Sequence, residues 1–244
     1  MKTTLSIRTI LRTQWTDFYG WKRSEYAWLA VAVASILGIS LVMGSGMIEV
    51  ASALTGIIGA ILVARAKLSS YVWGAVATGT YAWIAFSYQL FGEAILYTLL
   101  FLPMQFIGYA MWLKAAKRGQ DNTVEVVRRS LTNKQRVLVV LATAGAIALY
   151  ASLIGLLRGA EPGLDSATAI LSVLATLLMM LRYGEQWLVW IVVNCAAIVL
   201  WVLMVLQHQD QGWAVLAMWV LYLLNSVYGW WKWRRTLQKD EGAA

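Results

Sequence analysis

Apolar residues run along this chain in long blocks separated by polar connections, at roughly 26–44, 50–64, 71–88, 94–113, 137–157, 166–181, 186–206 and 212–231. At about 1.5 Å rise per residue, some twenty helical residues cover the roughly 30 Å hydrocarbon core of a bilayer. The pattern predicts an all-α, polytopic integral membrane protein with eight spanning helices. One block, EQWLVWIVVNCAAIVLWVLMVL (185–206), carries an amide at its middle. Trp187, Trp190, Asn194 and Trp201 fall at i, i+3, i+7 and i+14, on one helical face. An amide facing lipid is costly, so that face must meet protein, water or a ligand.

The blocks also repeat. Arg65 and Arg182 lie 117 positions apart (182 − 65), as do Trp73 and Trp190. GYAMWLK (108–114) resembles GWWKWRR (229–235) at a spacing of 121 (229 − 108), the extra residues fitting a longer outer loop around QHQDQG. Three spans therefore recur, with the span 137–157 between them. Three helices plus one crossing return the chain to its starting side, so the repeats are parallel, an arrangement that places a transport site at the repeat interface.

Composition agrees with a membrane protein and removes several alternatives. Sixty per cent of the residues are hydrophobic, 13% are charged, and mean hydropathy is +0.65. The net charge of +8 is no nucleic-acid signature, because its distribution is topological. Alternate connections hold 5 Lys/Arg before Tyr26, 2 at 65–67, 7 at 114–136, 1 at Arg182 and 4 after Trp231, leaving Arg158 alone on the other side. The positive-inside rule then puts both termini in the cytoplasm, with lipid phosphates as the partners of the basic excess. Lys2, Arg8, Arg12, Lys22 and Arg23 precede the first apolar block, which excludes a signal peptide. Leu5, Ile10, Leu11, Trp15, Phe18 and Tyr19 suggest instead an amphipathic helix on the inner surface. One cysteine (Cys195) and one histidine (His208) leave no metal-ligand set and no catalytic cluster. Neither a cofactor nor an enzyme activity is expected.

The chain divides into an amphipathic segment (1–25), an extra span (26–44), a three-helix repeat (48–114), a basic connection (115–136), a linking span with its outer loop (137–165), a second repeat (166–235) and a tail (236–244).

WLVWIVVN (187–194) matches the WxxWxxxN signature of the PnuC family of bacterial vitamin-B3-precursor transporters. LPMQFIGYAMW (102–112) and YLLNSVYGWWKW (222–233) are similar to its two other characteristic stretches, so the resemblance covers roughly 48–235. It implies a SWEET-like 3+1+3 fold in the bacterial inner membrane, carrying nicotinamide riboside by facilitated diffusion. It also implies a homotrimer and trapping of the substrate by a cytoplasmic nicotinamide riboside kinase. Relatives of this fold carry thiamine, riboflavin or deoxynucleosides, so the fold is fixed more firmly than the vitamin.

Four faces could line such a site: Trp187, Trp190 and Asn194; Tyr222, Asn225 and Gly229; Gln105 and Gly108 with Phe101 and Trp112; and Thr78 with Tyr81. Primary amides donate to and accept from a carboxamide at once, and indole faces attract a flat pyridinium ring. Each position also has a structural role open to it. Asn225 reads equally as a ligand contact or as interhelical glue, and Thr78 and Tyr81 read more readily as packing. Every acid flanking a span lies at its end (Glu49, Glu93, Glu161, Asp165, Glu185, Asp210), which favours uniport over proton or cation coupling.

Overall fold

The computed structural model describes residues 7–118, 124–156, 162–207 and 212–242. His208, Arg158, Glu161 and Asp210 lie outside the described residues. In chain order the elements are α1 (Ile7–Thr16), α2 (Arg23–Met43), α3 (Met47–Ala64), α4 (Ser70–Ser87), α5 (Phe91–Leu96), a π turn (Tyr97–Phe101) and α6 (Leu102–Ala115). A short ribbon follows, β1 (Ala116–Arg118) antiparallel to β2 (Val124–Val126), and then α7 (Asn133–Leu156), α8 (Pro162–Met180), α9 (Gln186–Gln207) and α10 (Trp213–Gly242). The ribbon departs from the all-α expectation, and it sits inside the basic connection. Val126 is buried in the core, and Arg129 exchanges backbone bonds with Arg182 (2.8 Å) and Gly184 (2.9 Å), so the connection is docked onto the bundle.

Among the described residues, six helices are long and apolar enough to cross a membrane: 23–43, 47–64, 91–115, 133–152, 186–206 and 213–238. The two further expected spans coincide with α4 and α8. Of α8, only Ala167–Met180 forms a shorter apolar helix. α4 carries Ser70, Thr78, Thr80, Ser87 and two glycines, which dilute its hydropathy.

Two turns share one backbone solution. After α3, Lys67 N–H donates to Leu62 C=O (2.9 Å) and Ala66 N–H to Val63 C=O (2.8 Å), with Ala66 at φ 53°. After α8, Tyr183 N–H donates to Leu178 C=O (2.8 Å) and Arg182 N–H to Met179 C=O (2.9 Å), with Arg182 at φ 67°. Both are Schellman closures with a side-chain-bearing residue in the left-handed region. The equivalent residues are thus Ala66 and Arg182, 116 apart (182 − 66), one fewer than the Arg65–Arg182 spacing indicates. Counted from the turn, Tyr71 corresponds to Trp187 and Thr78 to Asn194.

The packing follows that register. The Tyr71 ring lies against Gly108 and the Trp187 ring against Gly229, and a β-carbon at either glycine would overlap the ring. Each closing tryptophan then reaches across the bundle. Trp112 Nε1 donates to Met179 C=O (3.0 Å), and Trp233 Nε1 donates to Ala64 C=O (3.1 Å). All three tryptophans are buried, and they form an aromatic layer with Tyr71 (Tyr71–Trp112 5.1 Å, Trp112–Trp233 6.5 Å, Trp187–Trp233 5.9 Å).

At the N-terminal end, Asp17 accepts the Ser69 N–H (2.9 Å) and so caps α4 from outside its own chain segment. Burial raises the Asp17 carboxyl above its ordinary range despite that bond. Leu11, Trp15 and Tyr19 remain exposed on the opposite side of α1 and its following turn. α2 packs on α3 and α10. Its buried Glu25 accepts from Arg65, Lys232, the Tyr228 hydroxyl (3.1 Å) and the Lys22 backbone N–H (2.8 Å). One carboxylate thus fastens the start of the extra helix to the C-terminal ends of α3 and α10, at one end of the bundle.

Candidate functional site

The chemistry begins at Pro103. Pro103, the second residue of α6, removes a donor, and the ladder widens into the π turn Tyr97–Phe101 just before it. The wider turn sets Tyr97, Phe101 and Gln105 along one wall of a cavity of about 160 Å³. α3 supplies the small residues Gly56, Gly59 and Ala60, which let the wall recede. α4 adds Gly74 and Thr78, α8 adds Ser172 and Thr176, α9 adds Trp190 and Asn194, and α10 adds Trp219, Tyr222 and Ser226.

Two amide–hydroxyl pairs face each other across this space. Gln105 Nε2 donates to Thr78 Oγ1 at 3.4 Å, while Asn194 Nδ2 donates to Ser226 Oγ at 2.9 Å. Thr78 and Asn194 are equivalent in the turn register, and Gln105 and Ser226 share the 121 spacing of Gly108 and Gly229 (226 − 105). The first pair carries its amide on α6, and the second carries it on α9.

Several buried polar atoms of the wall have no partner among the described residues: Asn194 Oδ1, Ser70 Oγ, the Tyr71 hydroxyl and Trp219 Nε1. Leaving such an atom unsatisfied costs about 1–3 kcal/mol, so a guest that pairs with these atoms is favoured in the cavity. No carboxylate, histidine, lysine or arginine belongs to the lining, and among the described residues no group of acids, His or Cys is placed to hold a metal ion. What the site can do is bind a flat, uncharged or delocalised molecule between aromatic faces, with two amides to read its polar edge.

Of the residues singled out from the sequence, Trp190, Asn194, Gln105, Tyr222 and Thr78 line the cavity together. Three stand elsewhere. Trp187 is one turn below, in the aromatic layer against Gly229. Tyr81 is one turn above, donating to Glu93 (2.8 Å), accepting from Trp201 Nε1 (3.1 Å) and packing on Tyr97 at 4.4 Å. Asn225 faces α2 and α3: its Nδ2 donates to Ala60 C=O (2.9 Å), and its Oδ1 accepts from Trp28 Nε1 (3.4 Å). Ser226, Trp219, Tyr97, Ser172 and Thr176 were not anticipated. A face drawn through Trp219, Tyr222 and Ser226 (i, i+3, i+7) would have found the α10 contribution.

An apolar helical bundle closed around an uncharged polar cavity fits a membrane transporter. The chain belongs to the nicotinamide mononucleotide transporter family, whose profile matches residues 46–235. It is 34% identical over 226 residues to the nicotinamide riboside transporter PnuC of Neisseria mucosa, covering 92% of this chain and 86% of that protein. It is 33% identical over 220 residues to the PnuC of Haemophilus influenzae, covering 90% and 93%. The fold superimposes on a crystal structure of the vitamin B3 transporter PnuC with a TM-score of 0.85 and 34% identity, over 96% of this chain and 99% of that one.

Proposed function

We propose that this protein carries nicotinamide riboside across the bacterial inner membrane by uncoupled facilitated diffusion. The cavity carries the proposal: Gln105 and Asn194 offer two primary amides to a carboxamide, and Trp190, Tyr97 and Tyr222 offer π faces to a pyridinium ring. The names of the relatives point to the same substrate. The two matched turns and the two crossing tryptophan bonds support a 3+1+3 arrangement of parallel repeats linked by α7, which rock against each other to alternate access. The 19-to-1 division of Lys and Arg supports eight spans with both termini cytoplasmic. A homotrimer, and phosphorylation by a cytoplasmic kinase that traps the substrate, complete the scheme.

The test is a titration of the purified protein, followed by tryptophan fluorescence, with nicotinamide riboside, nicotinamide mononucleotide, thiamine and riboflavin. Nicotinamide riboside should bind most tightly and quench through Trp190. Tighter binding of thiamine or riboflavin would reassign the substrate while leaving the site in place.

A further inference from the structure

A second cavity, larger than the substrate site, lies elsewhere in the molecule. It is a groove of about 800 Å³ between α7 and the bundle. α7 packs mainly against α8 and stands away from α9 and α10, which leaves the space open along its length. The groove changes character from one end to the other. Its deep part is apolar, with Val139, Ala144 and Ile147 on α7 facing Leu171, Leu174 and Leu178 on α8. Its mouth is cationic, with Arg136 on the first turn of α7 and Arg234 on α10, beside Ser130 and Gln238.

The mouth is only half neutralised. Arg136 donates to Glu185 through Nη2 (2.9 Å) and Nε (3.1 Å). Arg234 lies 5.8 Å from the centre of the Trp230 ring and is in no ion pair among the described residues. Among the described residues, one positive charge is therefore left over at the mouth. Length supplies the second constraint. From Arg136 to Ile147 the helix rises about 16 Å, which is half of a hydrocarbon core of about 30 Å. A headgroup-level cation above one leaflet's depth of apolar wall fits a lipid.

We propose that this groove binds a single anionic phospholipid, its phosphate on Arg234 and Arg136 and one acyl chain between α7 and α8. The site would link the first turn of α7 and Ser130 just before it to α10, whose inner face forms part of the transport cavity. The test uses delipidated full-length protein in detergent. Thermal unfolding is followed after addition of phosphatidylglycerol, phosphatidylcholine or glycerol 3-phosphate. Phosphatidylglycerol should raise the midpoint by roughly 5 °C, with little effect from the other two. Arg234→Gln, on the rim, should remove most of that shift, and Ala144→Trp, which fills the groove, should remove all of it. Equal shifts from phosphatidylcholine, a shift from glycerol 3-phosphate alone, or full shifts in both variants would overturn the proposal. A changed oligomeric state in Ala144→Trp with the phosphatidylglycerol effect intact would also overturn it, assigning the groove to a subunit contact.

Discussion

Asn194 and Asn225 are two buried amides one helix apart, and their surroundings divide the molecule into a working region and a holding region. Asn225 is satisfied on both atoms, by Ala60 C=O and by Trp28 Nε1, and joins three helices. Asn194 spends its N–H on Ser226 and leaves Oδ1 buried without a partner on the cavity wall. A completed amide holds helices together, whereas a half-completed one keeps a binding valence for a guest. The charges divide in the same way: Glu25, Arg65 and Lys232 meet on the α2 side, where Asn225 sits, and none lines the cavity.

The sharpest way to break the comparison is at Glu25. Glu25→Ala strands Arg65 and Lys232 without their shared carboxylate. Removing one partner of a buried ion pair costs about 3–5 kcal/mol, or roughly 6–20 °C of unfolding midpoint for a chain of this size. Substrate affinity of the folded fraction should be unchanged. An unaltered midpoint would mean that α2 is held by packing alone.

Asn194→Ala should do the opposite, keeping the fold and weakening substrate binding by roughly ten- to a hundredfold, from about 1–3 kcal/mol. Wild-type affinity in a folded Asn194→Ala protein would move the amide into the holding region. Asn225→Ala is its mirror. It loses two interhelical bonds, which should lower the midpoint by roughly 2–8 °C with affinity within about twofold of wild type. If Asn225→Ala binds poorly at full stability, the division drawn here fails. Gln105→Ala should fall between the two amides in binding. Its bond to Thr78 is already long, so about 0.5–1.5 kcal/mol, roughly two- to tenfold in affinity, is expected from isothermal titration.

The sequence made part of this division legible. Trp190 and Asn194 are one turn apart in an apolar run, so an amide that lipid could not accept had to face inward. Pro103 marked the break, but not the π turn that aims Tyr97 and Phe101. The choice between Asn225 and its neighbour Ser226 was lost to helix geometry. Adjacent residues differ by about 100° in direction, and nothing in the pattern said which one faced the cavity. Tryptophan and arginine identities suggest a repeat at a spacing of 117, whereas the two matching turns stand 116 apart. The backbone turn is shared by Ala66 and Arg182, whose side chains differ. Trp187 and Tyr81 stand a turn away from the cavity, since helical spacing fixes angle and leaves height along the axis to the neighbours. Asp17 and Glu25, anchors of the N-terminal segment, had no signal at all, because their partners are distant in sequence.

The smallest expected effect carries the most mechanism. If charge belongs only to the holding region, an imposed proton or sodium gradient should leave the endpoint of transport unmoved. In proteoliposomes, labelled nicotinamide riboside should equalise inside and outside and go no further. A coupled ion would supply about 1.4 kcal/mol per tenfold gradient, enough for roughly tenfold accumulation. A carboxylate close to the cavity wall is Glu93, which accepts from Tyr81, itself packed on the lining residue Tyr97. Glu93→Gln should therefore transport with the same endpoint as wild type. The substrate's own charge must be separated from coupling, because a cation crossing the membrane is worth about 2.3 kcal/mol per 100 mV of potential. The assay is run with the potential clamped near zero, where only a co-transported ion can concentrate the substrate. Accumulation under those conditions, abolished by an ionophore and by Glu93→Gln, would show that the Tyr81–Tyr97 stack conducts protons to the site and that the two regions are one.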